Sequence, residues 1–316
     1  MPDPTIIDFD AGISAVDTEY LRPGLDASHI VQHRGRAAFV DTGTSHSVPL
    51  LLAALEAKQI APEDVDWVFL THVHLDHAGG AGQLMAALPN ATAVLHPRGA
   101  PHMADPSKLI AGSKAVYGEP KFTELYGEIR PIAEERIRAV EDGERIDFAG
   151  RTMELIHTEG HARHHYCIVD REANAVFTGD SFGLSYRWFD TAAGPFVFPT
   201  TTPVHFDPEE AHAAIRRILS YGPERVFLTH FSGVDDPASL APQLHWDLDA
   251  YVRIAREQKD APDPKVAIQK RITDWTVGRL MEHGVDMDPT RRDELIANDM
   301  DLNAQGLAFW IQRGGR

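Results

Sequence analysis

The sequence predicts an α/β fold over residues 1–237, followed by a helical C-terminal extension over residues 238–316. Three observations carry this. Short β-type runs are interrupted by helical segments, and the order β-runs then helix occurs twice in the first 237 residues. The run at 65–71 is nearly continuous in apolar residues, as in a buried strand. Past residue 237 no strand candidate remains, and apolar side chains recur at helical spacing instead.

Taken in order, residues 5–9, 28–33 and 36–41 read as strands, with Arg34-Gly35 turning the last two into a hairpin. Residues 48–58 read as a helix and are followed by the buried strand 65–71. A helix over 78–88 and a strand over 91–95 come next, then an irregular or helical stretch over 97–131 punctuated by Gly and Pro. Strands at 145–148 and 153–157 flank Ala149-Gly150 as a second hairpin, with further strands at 166–169 and 175–178. Asp207 as N-cap, with Pro208 in the first turn, opens a helix over 208–221 that leads to a last strand at 225–229. Two sheets packed face to face with helices outside suit this order, although periodicity alone does not fix the layering. In the extension, helices over 240–258 and 266–283 are separated by Asp260-Ala261-Pro262-Asp263-Pro264. Leu240, Leu244, Leu248 and Val252 bury one face of the first, for a homodimer contact, a cover over the site or plain stabilisation.

Composition narrows the function. The 316 residues carry 30 Lys+Arg against 47 Asp+Glu, a formal net charge of −17. Such a chain repels phosphate backbones, which argues against nucleic acid as a partner and for a small-molecule substrate. Apolar residues make up 43% and charged residues 24%, the balance of a soluble globular protein. Met1-Pro2-Asp3-Pro4 lacks the basic and apolar pattern of an export signal, and no apolar run reaches the roughly 18 residues of a membrane span. The expectation is a cytoplasmic protein that does not engage a membrane. The single cysteine, Cys167, excludes an intrachain disulfide and any cysteine-built metal cluster, and it reads as a core residue.

Histidine is the exception to this ordinary composition: there are 17, and they cluster. His72, His74 and His77 fall within Thr71-His72-Val73-His74-Leu75-Asp76-His77, directly after the apolar run 67–70. At the end of a buried strand, alternate residues His72 and His74 point the same way while Asp76 and His77 swing in from the turn. Imidazole and carboxylate together suit a borderline divalent ion: zinc first, with iron and manganese accepted by the same donors. Thr158-Glu159-Gly160-His161, Thr178-Gly179-Asp180-Ser181 and Leu228-Thr229-His230 each place a His or Asp just past a strand.

The series His72-x-His74-x-Asp76-His77, then His161, Asp180 and His230, resembles the metallo-β-lactamase superfamily. The resemblance covers about residues 1–237 and is nearest to the glyoxalase-II-like and lactonase-like hydrolases. Phe39-Val40-Asp41-Thr42-Gly43 resembles the family's early strand-end Asp. The resemblance implies an αββα sandwich with one metal held by His72, His74 and His161, a second by Asp76, His77 and His230, and Asp180 bridging the two. It makes Asp41 a residue that orients ligands, against the plainer alternative of a turn or cap Asp. It also implies a dinuclear hydrolase of a small ester, thioester or lactone, acting through a metal-bridging hydroxide. Asp76 and Asp180 would serve the metals, and Asp76 would also pass a proton to the leaving group.

The substrate is less legible. Trp188, Phe189, Phe196 and Phe198, with Tyr186, Arg187 and His205 nearby, are candidates to wall a pocket or simply to pack a loop. His164 and His165, close after His161, are candidates for substrate contact, ligand support or packing. Two other readings stand beside the hydrolase: a di-iron oxidoreductase on the same scaffold, and a non-catalytic metal- or partner-binding protein. The flavin-coupled redox branch usually has Glu where this chain has His74, which argues against the first. A complete ligand set argues against the second.

Overall fold

The computed structural model describes residues 3–202 and 204–315. Met1 and Pro2, read above as part of an unexported N-terminus, lie outside the described residues, as do Pro203 and Arg316. The chain forms two compact units. The first comprises residues 1–157, 164–179 and 224–233; the second comprises 158–163, 180–223 and 234–316.

Two sheets build the first unit. One contains β1 (Ile6–Asp8), β2 (Ile13–Asp17), β3 (Ala27–His33), β4 (Arg36–Val40), β5 (Val65–Phe69), β6 (Thr92–Leu95) and β7 (Ile137–Ala139), hydrogen-bonded in that order. Its first four strands are antiparallel neighbours, whereas β4 through β7 are parallel. The other contains β8 (Glu144–Phe148), β9 (Arg151–His157), β10 (Tyr166–Asp170), β11 (Ala175–Gly179) and β12 (Arg225–Leu228), with β11 and β12 parallel. On β13 (Ser232–Asp235) the chain passes into the second unit.

The period-2 pattern explains how these sheets pack. On β4, Ala37 and Phe39 face one core while Ala38 and Val40 face another; on β6, Ala93 and Leu95 oppose Val94 in the same way. The first core lies under helices α1 (Val48–Ala57) and α3 (Ala81–Ala87), which contribute Leu51, Leu84 and Met85. The second core joins the two sheets, with Phe69 and Val94 meeting Phe148, Leu155, Ile168 and Phe177. Both faces of these strands are apolar, so each strand is covered by helices on one side and by the second sheet on the other. Four-residue α2 (Leu75–Ala78) precedes α3, so the helix expected over 78–88 is split at Gly79-Gly80. The stretch 97–131 resolves into α4 (Ala100–Ala104), α5 (Ser107–Tyr117) and α6 (Glu119–Tyr126).

Three strands and one helix go beyond the sequence reading. In β2 every residue is buried, polar Ser14 and Asp17 included, so it shows no alternation to detect. The strands β7 and β13 span only 3 and 4 residues.

Helices make up most of the second unit: α7 (Pro208–Leu219), α8 (Pro237–Glu257), α9 (Pro264–Glu282) and α10 (Pro289–Gln312). Asp207 caps α7 as expected, accepting from the backbone N–H groups of Glu209 and Glu210. The unexpected α10 buries Asp299 and Asn303, whose polar side chains hide its apolar face from a periodicity count. Both are satisfied: Asp299 accepts from the Tyr186 hydroxyl at 3.1 Å, and the Asn303 amide donates to the Pro199 carbonyl at 3.1 Å.

A buried ion pair locks the second sheet. Arg151 Nε lies 3.0 Å from both Asp170 oxygens, its Nη2 also reaches Asp170, and Nη1 donates to the Ala11 carbonyl at 2.6 Å. Both side chains are fully buried. In Asp170→Ala the guanidinium is stranded without its carboxylate, and urea denaturation should record a loss of about 3–5 kcal/mol.

Candidate metal centre

Because β4 and β5 are parallel, the segments leaving both strands emerge at the same end of the sheet. Asp41 leaves β4 with a left-handed backbone, φ 57°. Its wholly buried carboxylate accepts from the Thr71 N–H at 2.8 Å, the Thr71 hydroxyl at 2.8 Å, the Thr229 hydroxyl at 2.8 Å and His77 Nδ1 at 2.8 Å. A carboxylate in this position only accepts, so His77 donates from Nδ1 and keeps its lone pair on Nε2. The plainer alternative, a turn or cap Asp, does not describe these contacts.

His230 follows the same rule. Its Nδ1 lies 3.1 Å from the Leu25 carbonyl, which can only accept, so its lone pair is also on Nε2. Asp76 Oδ2 lies 3.8 Å from His77 Nε2 and 3.6 Å from His230 Nε2. One donor atom from each of Asp76, His77 and His230 falls within 4.8 Å of the others. Two imidazole lone pairs and a carboxylate oxygen converging in this way fit a borderline divalent cation, and both imidazoles are already held by acceptors at their far nitrogens.

His72 and His74 extend the cluster, with ring centroids 4.4 Å apart and His72 4.0 Å from His77. His165 is fully buried with its ring 4.9 Å from His72, and His164 stacks 6.2 Å from His72 and 5.7 Å edge-on to His74. Gly179 makes the approach feasible. With φ 48°, a Cβ there would lie 2.6 Å from His165 Nε2 and 2.7 Å from Thr71 Oγ1.

Asp26 was not singled out in the sequence, where it is a lone acid in a loop with no spacing to mark it. It is fully buried and accepts from the Thr18 hydroxyl at 3.0 Å. Burial raises its carboxyl to about 7, while the fields of His230 and His77 pull the other way.

In the second unit His161 Nε2 lies 3.3 Å from Asp180 Oδ2, both side chains being almost wholly buried. Gly160, φ 121°, lets this segment lie against α7, where a Cβ would meet Ala211 N at 2.5 Å. His161 and Asp180 line a small open cleft in this unit. Glu159, Ser181 and Thr200 add polar lining, and Ala214 and Ile215 of α7 and Leu244 and Leu248 of α8 add apolar lining. The aromatic loop is a packed layer apart from this lining. Tyr186 meets Phe198 edge-on with ring centroids 5.7 Å apart, Phe198 stacks 6.1 Å from Phe196, and all three are buried. His205 is half-buried on the turn before α7.

Comparison with known proteins bears on the family and the fold. The family model for the metallo-beta-lactamase superfamily matches residues 21–230. The metallo-beta-lactamase fold-containing protein ST1585 of Sulfurisphaera tokodaii is 27% identical over 209 residues, 65% of this chain and 72% of that protein. A hydroxyacylglutathione hydrolase of Acidiphilium cryptum is 28% identical over 200 residues, 63% of this chain and 61% of that protein. An atrochrysone carboxyl ACP thioesterase of Emericella nidulans is 27% identical over 158 residues, 49% of this chain. The match to the hydrolase spans less than two thirds of that protein's length, and the match to the thioesterase spans 39%. The solved structure of ST1585 from Sulfolobus tokodaii superposes with a TM-score of 0.65 at 22% identity, covering 94% of this chain and 98% of that one, which establishes the fold.

Proposed function

The chain belongs to the metallo-beta-lactamase superfamily, and from that premise we propose that it is a metal-dependent hydrolase of a small ester, thioester or lactone. The observation that carries this reading is the convergence of Asp76 Oδ2 with the Nε2 atoms of His77 and His230, each imidazole fixed from behind. In this reading Asp76, His77 and His230 would hold one ion, and His72 and His74 of the same unit would be donors to a second. Bound divalent ions would supply Lewis acidity towards a carbonyl oxygen and acidify water towards a near-neutral pKa.

The protein's own groups do the rest. Asp41 and the Leu25 carbonyl hold His77 and His230 in one tautomer, so the donor atoms need no rearrangement. Asp76 is 24% exposed where His77 is fully buried, which supports a role in passing a proton to the departing alcohol or thiol. In Asp76→Asn with metal retained, the rate should then depend steeply on leaving-group pKa; an unchanged dependence removes that role. The cleft's apolar lining suits the hydrocarbon part of an acyl group. Leu248→Trp should raise KM selectively for the longer acyl chains of a substrate series while leaving the shortest nearly unchanged.

The direct test is turnover by protein loaded in turn with zinc, iron and manganese, against a panel of esters, thioesters and lactones. Metal-dependent hydrolysis of at least one class, abolished by chelation, is expected. Tight metal binding without turnover, or oxygen consumption by the iron form, would replace this reading with a binding or redox role.

A further inference from the structure

A second group of metal-type donors lies in the second unit. His212 on α7 and His245 on α8 have ring centroids 4.9 Å apart and planes only 24° apart. Their Nδ1 atoms face each other at 2.6 Å. Asp249, one turn beyond His245 on the same helix face, places Oδ1 3.1 Å from His212 Nε2.

The protons can be assigned. Asp249 accepts, so His212 carries a hydrogen on Nε2, and in the neutral ring its lone pair sits on Nδ1. Two nitrogens cannot face each other at 2.6 Å without a hydrogen between them, so His245 supplies an Nδ1–H. When the neutral His245 ring carries its hydrogen on Nε2 instead, two imidazole lone pairs point at one position. The far nitrogen of one ring is already bonded to a carboxylate, as in the carboxylate–histidine–metal arrangement.

We propose that His212 and His245 form a separate binding site for a borderline divalent cation of the zinc, nickel or copper(II) class, with Asp249 as the residue that orients His212. The cation takes the place of the shared hydrogen, which the neutral His245 then carries on Nε2, and clamps α7 to α8. Metal–nitrogen distances of about 2.0–2.1 Å require the two Nδ1 atoms to open to roughly 3.3 Å, a small ring rotation for side chains at the surface. Burial, then His212, then Arg216 hold the His245 imidazole below its ordinary pKa, so it is neutral and able to ligate at pH 7. The Arg216 charge opposes a bound cation; the Asp249 carboxylate, 72% exposed, offsets it. Two protein donors leave the remaining positions to water, so binding is weaker than at a site with three or four side-chain ligands.

The site is independent of the hydrolase reading, and its test does not use turnover. Full-length protein, wild type and His245→Gln, is dialysed against increasing Zn2+, and bound metal per chain is counted by elemental analysis. Wild type should bind one more ion than the variant at saturation. His212→Gln should repeat the loss, and Asp249→Asn should weaken the extra site about tenfold. Zinc-edge anomalous scattering should place a peak between the two Nδ1 atoms. Equal stoichiometry in wild type and His245→Gln, or a proton still detected between the rings by 15N NMR at saturating zinc, overturns the proposal.

Discussion

On the proposed reading, His77→Ala should lose metal from the first-unit cluster and lower hydrolysis by at least about a thousandfold. The substitution removes one of three converging donors and leaves the Asp41 carboxylate without the imidazole it holds at 2.8 Å. Metal ions contribute several kcal/mol of transition-state stabilisation in hydrolases, and each 1.36 kcal/mol is tenfold in rate. The control is His230→Ala, which removes another donor from the same cluster without touching Asp41. The two variants should lose metal and activity alike, while His77→Ala alone also loses stability. Full activity with normal metal content in either would remove the cluster from the mechanism.

Asp41→Ala should be the most destabilising single change near the centre. It orphans the Thr71 N–H, two hydroxyls and the His77 Nδ1–H, all fully or almost fully buried. Each unsatisfied buried donor costs about 1–3 kcal/mol, and partial relaxation brings the sum to about 3–5 kcal/mol. Asp41→Asn separates folding from ligand orientation. The amide still accepts on one side but presents an N–H on the other, so stability should fall less while metal affinity falls about 10–100-fold. Urea denaturation in chelator gives the folding effect alone; metal competition gives the second. Equal effects of Asn and Ala on both measurements would mean that Asp41 only fills space.

The legible part of this site was the part written locally. Residues 71–77 supply His72, His74, Asp76 and His77 within one turn, so spacing alone marks them. His161, Asp180 and His230 are single residues after separate strands, and only their order along the chain singles them out. Asp26 carries no such order; its significance is burial beside His230 and His77, which appears only when β3, β12 and the segment after β5 are assembled. The fold shows the same division. Runs of apolar residues revealed β4 and β6, whereas β2 carries buried polar Ser14 and Asp17 and α10 hides Asp299 and Asn303 among its core positions. Polar residues that find buried partners erase the pattern by which sequence announces an element.

Anomalous diffraction at the metal edge, on crystals of protein purified without added metal and then of protein supplied with zinc, addresses the central claim most directly. The account predicts a peak bonded to Asp76 Oδ2, His77 Nε2 and His230 Nε2, with the His77 ring still held by Asp41. An absence of density there at millimolar zinc, with the three side chains turned away from one another, would contradict it.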